Sequence, residues 1–314
     1  MNLHAIRDSP SPELAKALAT FEAGFAYPLG PGRSFTISHG DDYPRFFRAM
    51  GPATCFIAER ENDVLGAMGV AIRTLRLPDA GVCQAAYIGD LKVNPGARGT
   101  LVFLRLARAA DAWARPQVTA AYGIVMDGTR ISPGSYTGRV GIPEFLVIGK
   151  VCVLRFDTKV DFDRGQVQIT SAECGEKCYR ALSIGRYMTA DGTPEVRSEM
   201  GPLWLVHGDG AACGRLEDTR RAKRLIDRDG IEMMSAHLAY FAWRTAGAAA
   251  ELIHAARSEA AKRGMPALFV AVADVDLMQL ESALGDIDKI VAPATVYGAG
   301  LPKGHAWNIN SSEI

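Results

Sequence analysis

One order of elements occurs twice along the chain, and that repeat limits the fold more than any single motif does. Residues 54–60 and 64–77 have extended character on either side of the turn Glu61-Asn62-Asp63, and Pro78-Asp79-Ala80-Gly81 leads into a third extended run, Val82 to Val93. After the loop 94–99, Val102, Leu106, Ala109 and Trp113 recur at helical steps; Pro116 stops that helix, and Val118 to Met126 reads as a strand. The second half gives Leu203 to His207, the turn Gly208-Asp209-Gly210, Ala211 to Leu216 and a long run from Ile231 to Trp243. A loop at 244–247 then opens a helix from Ala248 to Arg263, with Gly264 as its cap, Pro266 beyond it and a strand at 267–273. Each half closes on a further strand, at 144–156 and at 287–297, the latter preceded by a helix at 274–284. One plan used twice predicts two α+β domains.

Helical spacing at 13–23 and at 41–50, where Tyr43, Phe46, Phe47 and Met50 share a face, precedes the first copy, with a loop at Tyr27 to Gly32 between them. Residues 157–178 lose apolar periodicity, so the boundary is expected near 160. The divisions are therefore 1–160, 161–298 and a tail, 299–314, expected to be a surface extension. A length of 314 residues agrees with two domains at ~100–200 residues each.

Lysine and arginine total 35, as do aspartate and glutamate, which argues against nucleic-acid or membrane partners recruited by bulk charge. No apolar run approaches the ~18 residues of a membrane span, and Met1 to Pro12 lacks the apolar core of a secretory signal. Cys55, Cys83 and Cys152 sit in apolar runs, where a thiol behaves as a small hydrophobe; a reducing, cytoplasmic setting is the expectation.

Several chemistries drop out. There is no P-loop and no G-x-G-x-x-G between a strand and a helix, and Gly134-Ser135-Tyr136-Thr137-Gly138 misplaces the serine of a nucleophile elbow. Cys174 and Cys178 have ligand spacing but no second pair nearby, so no metal is expected. What remains is Tyr87 to Thr100 leading into the helix at 101–113. A strand ends in a glycine-containing turn where a helix begins, so backbone N–H groups and the helix dipole favour an anion there. Arg98 adds a bidentate positive charge and Gly99 allows close backbone approach. The pattern fits a pyrophosphate loop, and equally an ordinary connection with a surface arginine.

The run Leu91-x-Val93-x-Pro95-x-x-Arg98-Gly99 followed by an amphipathic helix resembles motif A of the GNAT acyltransferase superfamily. The resemblance implies two GNAT-like domains, each a mixed, mostly antiparallel sheet flanked by helices, with acetyl-CoA or another acyl-CoA lying between splayed fourth and fifth strands. Arg98, Gly99 and Thr100 would then hold the pyrophosphate, and the backbone of Leu91 and Val93 the pantetheine arm. Leu101 and Phe103 stand where the family has small residues. In the second half Arg244-Thr-Ala-Gly247-Ala-Ala249 fits the Arg-x-x-Gly-x-Ala form directly.

By the same resemblance Tyr136 would protonate the leaving thiolate. Asp90 would serve as base for the amine, unless Lys92 or another neighbour pairs with it; Glu232 and His237 are the matching strand candidates in the second half. The implied activity is N-acyl transfer, acetyl foremost, by direct attack of a small-molecule or peptide amine on the thioester in a ternary complex, with a homodimer allowed. The alternative is a catalytically degenerate tandem GNAT that senses acyl-CoA or binds a partner.

Overall fold

A computed structural model describes residues 1–28, 34–129, 131–158, 165–189 and 192–314. The expected boundary at 160, the tip of the expected loop at 29–32 and Arg130 lie outside the described residues.

The first half holds β1 (Asn2–Ile6), α1 (Pro12–Ala23), β2 (Ala26–Pro28), β3 (Ser34–Ser38), α2 (Arg45–Arg48), β4 (Ala53–Arg60), β5 (Asp63–Arg76), β6 (Val82–Val93), α3 (Val102–Ala114), β7 (Ala120–Met126) and β8 (Leu146–Asp157). The second holds β9 (Val167–Thr170), α4 (Ala172–Leu182), β10 (Tyr187–Thr189), α5 (Pro194–Arg197), β11 (Leu203–His207), β12 (Ala212–Glu217), β13 (Arg224–Asp227), β14 (Ala236–Trp243), α6 (Ala246–Lys262), β15 (Ala267–Ala273), α7 (Asp274–Leu284), β16 (Lys289–Ala299) and β17 (Trp307–Asn308).

One sheet runs through both halves in the order β1-β4-β5-β6-β7-β16-β8-β15-β14-β12-β11-β9. Among the described residues only β6 with β7, β14 with β15 and β10 with β17 pair in parallel, so the sheet is mixed and mostly antiparallel. At its centre the halves exchange strands. β8 leaves the first half to pair with β15, from Ala267↔Asp157 to Ala273↔Val151, while β16 returns to pair with β7, from Ala294↔Met126 to Ala299↔Ala121. β16 and β8 pair with each other along almost their whole length. The two copies of the plan are therefore not two separate sheets.

Helices cover the sheet through apolar faces; the buried stripe of α3 is Val102, Leu106, Ala107, Ala110 and Ala114, and Ala109 and Trp113 of the expected stripe are half-buried at its margin. Val102, Leu106 and Ala110 of α3 pack on Phe56, Met68 and Val70, and Leu252, Ile253 and Ala256 of α6 pack on Leu205, Leu238 and Leu268. Full burial of each such leucine, isoleucine or valine contributes ~1.5–3 kcal/mol. The alanines of α6 (Ala249, Ala255, Ala256 and Ala260 are fully buried) let that helix lie close to the strands.

Three expectations are corrected. The helix at 41–50 is only the single turn Arg45–Arg48, because Pro44 must start it and Gly51, at φ 155°, cannot extend it. The run 231–243 becomes strand only from Ala236, since Asp227 N–H donates to Ile231 O and turns the chain back at 227–231. The tail is not a surface extension: Trp307, Asn310, Ser312 and Glu313 are buried. Trp307 stacks on Tyr187 at 4.2 Å, and a Cβ at Gly149 would meet its ring at 2.4 Å.

Candidate functional site

β6 and β7 share only the pairs Ala85↔Ala120, Ala86↔Ala121 and Tyr87↔Tyr122, although β6 continues to Val93 and β7 to Met126. The cause of the divergence is a bulge. Gly89 opposes Gly69 and Lys92 opposes Ala67, so Asp90 and Leu91 share one partner position, and Asp90 takes φ 53°. A left-handed non-glycine residue is uncommon and marks a bend the surroundings enforce. From Ile88 to Val93 the edge of β6 facing β7 has no strand partner among the described residues.

The wedge between the strands opens into a cavity of about 760 Å³. Met68, Val70, Phe103, Ala107, Ile124 and Ile142 supply apolar wall, and Leu91, Asp90 and Tyr136 also line it. Tyr136 follows a turn at Pro133–Ser135 and meets Phe103 edge-on at 4.9 Å. Burial, with Tyr297 nearby, pushes the Tyr136 hydroxyl up to about 12, so it is a proton-bearing donor at neutral pH.

Below the bulge is a polar cluster that sequence reading missed, apart from Asp90 and its pairing with Lys92. Lys92 Nζ lies 2.7 Å from Asp90 Oδ1 and 3.4 Å from Glu22, and Tyr43 donates to Asp90. His39 Nδ1 lies 2.5 Å from Glu22 and 3.9 Å from Asp90. Burial raises the Asp90 carboxyl, but Lys92, His39 and the Tyr43 hydroxyl outweigh it and hold it below the ordinary carboxylate range. Burial also works against the Lys92 charge; Asp90, Tyr27 and Glu22 reverse that and keep it protonated. Glu22, His39 and Asp90 have ligand atoms within 4.8 Å of one another, but the Lys92 ammonium already fills the cation's place among them.

After β6, the exposed residues Arg98, Gly99 and Thr100 form the loop into α3. Gly99 takes φ 78° with open space beside it, so a ligand can lie against the backbone. Thr100 Oγ1 donates to Ala97 O at 2.6 Å and accepts from Val102 N–H at 3.4 Å. The helix starts one residue later than expected, and the amides of Phe103 and Leu104 have no intrahelical acceptor.

The second half repeats this geometry. β14 and β15 share three pairs, ending at Leu238↔Val270, and Tyr240 takes φ 51° where Asp90 does in the first half. Here the wedge is filled. Tyr240 N–H donates to Asn310 Oδ1 at 2.8 Å, and Ser311 Oγ donates to Phe269 O at 3.2 Å, so the C-terminal segment bridges β14 and β15. The expected phosphate residues also differ in setting. Arg244 is exposed and Gly247 lies inside α6, but Ala249 is fully buried in the core. Thr245 caps the helix by accepting from Ala248 N–H at 3.4 Å. Glu232 pairs with Arg220 at 2.7 Å, away from β14.

The first cavity also reaches across to the second half, where Lys223, His237 and Ser311 line it. Lys223 donates to a backbone oxygen of Ile314 and lies over the Phe46 ring at 4.6 Å. Burial, then Arg197, pushes its ammonium down to about 7. Leu91, Asp90 and Tyr136 thus come together on one cavity with Lys223 and His237; Arg98 to Thr100 stand at the helix start beside it, and Arg244 to Ala249 belong to the other half. Lys223 and Ser311 carry no local sequence signal, since their placement depends on the burial of the C-terminal segment.

Two copies of a hairpin, a bulged strand and a helix followed by a splayed parallel neighbour define the tandem GNAT fold. The same fold is found in N-myristoyltransferase from Saccharomyces cerevisiae. Its crystal structure with bound myristoyl-CoA matches 99% of this chain and 87% of that one with a TM-score of 0.63 at 9% identity. Its structure with bound myristoyl-CoA and inhibitors matches 99% and 84%, with a TM-score of 0.62 at 10% identity. At such identity the likeness is one of fold. No protein-family model and no curated protein matches the sequence.

Proposed function

We propose that this chain is an acyl-CoA-dependent N-acyltransferase, that its first half holds the acyl-CoA, and that the acyl chain is long. One observation carries the reading. Of the two splays, the first opens into an apolar cavity of about 760 Å³, whereas residues 310–311 bridge the second. The volume falls in the range of small-molecule sites (~300–1,000 Å³), and an acetyl group would leave most of its apolar wall uncovered. That the yeast enzyme of the same fold is seen with myristoyl-CoA supports the choice.

In this reading the unpaired edge of β6 at Leu91 and Val93 offers backbone N–H and C=O groups to the pantetheine amides. Arg98, Gly99, Thr100 and the first amides of α3 meet the pyrophosphate. The acceptor amine attacks the thioester carbonyl, the N–C bond forms and the C–S bond breaks. Tyr136, with its hydroxyl near 12, cannot readily hand its proton to a thiolate whose conjugate acid titrates near ~8.5; it stabilises the departing sulfur by donating a hydrogen bond. Asp90, tied to Lys92 and Tyr43, shapes the bulge and is a poor base. The cytoplasm, where acyl-CoA is made, is the compartment this reading implies.

The test is calorimetry with acetyl-, octanoyl- and myristoyl-CoA, followed by thiol release with glycine, glycinamide, a short glycyl peptide and a lysine peptide. Affinity should rise with chain length, by up to ~0.8 kcal/mol per buried CH₂, and at least one amine should release thiol. Equal affinity for acetyl- and myristoyl-CoA contradicts the long-chain assignment. Tight binding without turnover for any amine leaves the acyl-CoA sensor instead.

A further inference from the structure

Acyl transfer to an amine has a proton to dispose of, and Asp90 is already engaged by Lys92 and Tyr43. Facing the same cavity from β14 is His237, three residues before the left-handed Tyr240, as Tyr87 is three residues before the left-handed Asp90. Its side chain is buried and stacks on Phe269 at 5.3 Å. Ser311 Oγ lies 3.1 Å from His237 Nδ1 and gives its own hydrogen to Phe269 O. A hydroxyl has one hydrogen, so Oγ accepts from the ring, and Nδ1 carries the ring hydrogen. Nε2 is left with a bare lone pair, and no hydrogen bond among the described residues engages it.

We propose that His237 Nε2 takes the proton from the acceptor amine, an assignment that rests on the acyltransferase reading above. As the amine nitrogen bonds to the thioester carbon and the C–S bond breaks, one N–H proton moves to Nε2. The imidazolium then gives that proton to the departing thiolate, directly or through water, so the proton that leaves nitrogen is the one that arrives on sulfur and His237 returns to neutral.

The surroundings suit a base that must begin neutral. Burial, then the charges of Lys223 and Arg197, hold the imidazole well below its ordinary value. On β12, Glu217 pairs in register with His237, but its carboxylate is committed to Arg197 at 2.6 Å and Arg215 at 2.9 Å. Arg155 on β8 and Asp90 on β6 line the same cavity, and Glu313, on the segment that carries Ser311, is held by Arg73 and Arg197. No carboxylate is within ion-pair distance of the ring among the described residues, so an imidazolium formed there is driven to pass its proton on.

Two measurements decide the assignment. Two-bond ¹H–¹⁵N spectra should show His237 as the neutral Nδ1–H tautomer at pH 7; the Nε2–H tautomer overturns it. His237→Asn keeps an amide near Ser311 and removes Nε2. Its single-turnover transfer from myristoyl-CoA to the fastest amine of the panel should fall about 10²–10⁴-fold with myristoyl-CoA binding unchanged. Added imidazole should restore rate to His237→Ala. An Asn variant as fast as wild type overturns the proposal. Should the Asn variant fail to fold, Ser311→Ala takes its place: it frees the tautomer and should slow transfer, and an unchanged rate with both tautomers present overturns the assignment. Wild-type protein that binds myristoyl-CoA but acylates no amine refutes the acyltransferase reading itself, before any variant is made.

Discussion

Asp90 shows how one backbone angle determines what a side chain can do. Its left-handed φ of 53° bends β6 away from β7 and turns the carboxylate into the cluster of Lys92, Tyr43, Glu22 and His39. There it balances a buried ammonium and so has little proton affinity to spare. Asp90→Asn should destabilise the protein by about 3–5 kcal/mol in urea unfolding, because a buried Lys92 loses its nearest anion. Tyr136 is placed to act on the substrate. If it donates to the departing sulfur, Tyr136→Phe should slow transfer roughly 10- to 150-fold, the kinetic equivalent of about 1.5–3 kcal/mol, with acyl-CoA binding unchanged. An unaltered single-turnover rate removes it from the mechanism.

At the scale of elements, the two strand–loop–helix junctions look alike in sequence and differ in structure. Eight residues separate β6 from α3, whereas only Arg244 and Thr245 separate β14 from α6. Arg98→Ala should therefore weaken acyl-CoA binding by about 1.5–3 kcal/mol, more at low salt than at high, while Arg244→Ala should leave it unchanged. Calorimetry on both variants checks this, and the reverse pattern would move the cofactor to the second half. Elements whose identity is set by their own residues were legible: β6 occupies 82–93 and α7 occupies 274–284, the bounds read from the sequence. α4 was not, because its buried face is built around Gly175 and Tyr179, and a glycine fitted against the Trp204 ring carries no apolar signal. Sequence likewise favours Arg244 to Ala249 as the better phosphate motif, since small residues at helical spacing suit a phosphate or a tightly packed helix equally. Structure buries Ala249 in the core.

At the scale of the molecule, the strand exchange and the C-terminal segment make one unit of the two halves. β8 and β16 each complete the other half's side of the sheet, and Glu313 ties Arg73 of β5 to Arg197 of α5 at 2.7 and 2.9 Å. Such contacts lie between residues 116 and 240 positions apart in sequence, and no local pattern announces them. Burial raises the Glu313 carboxyl, but the two arginines outweigh it and bring it down to about 2 from an ordinary 4.5. A depressed carboxyl stabilises the fold fully above its unfolded value and loses that contribution as pH falls through its folded one. Glu313→Gln should thus be less stable by about 3–5 kcal/mol at neutral pH, and the gap to wild type should close between pH 4.5 and 2 in urea titrations. A gap independent of pH would mean that packing, not charge, holds the segment.

The central claim is that the first splay holds the acyl-CoA while the chain's own C-terminal segment occupies the second. A crystal structure of the protein with myristoyl-CoA tests it most directly. The account predicts pyrophosphate density at Arg98 to Thr100, pantetheine along Leu91 to Val93, and an acyl chain in the cavity walled by Met68, Val70 and Phe103. Density for CoA at Arg244 to Ala249, with residues 307–313 displaced from between β14 and β15, would contradict it.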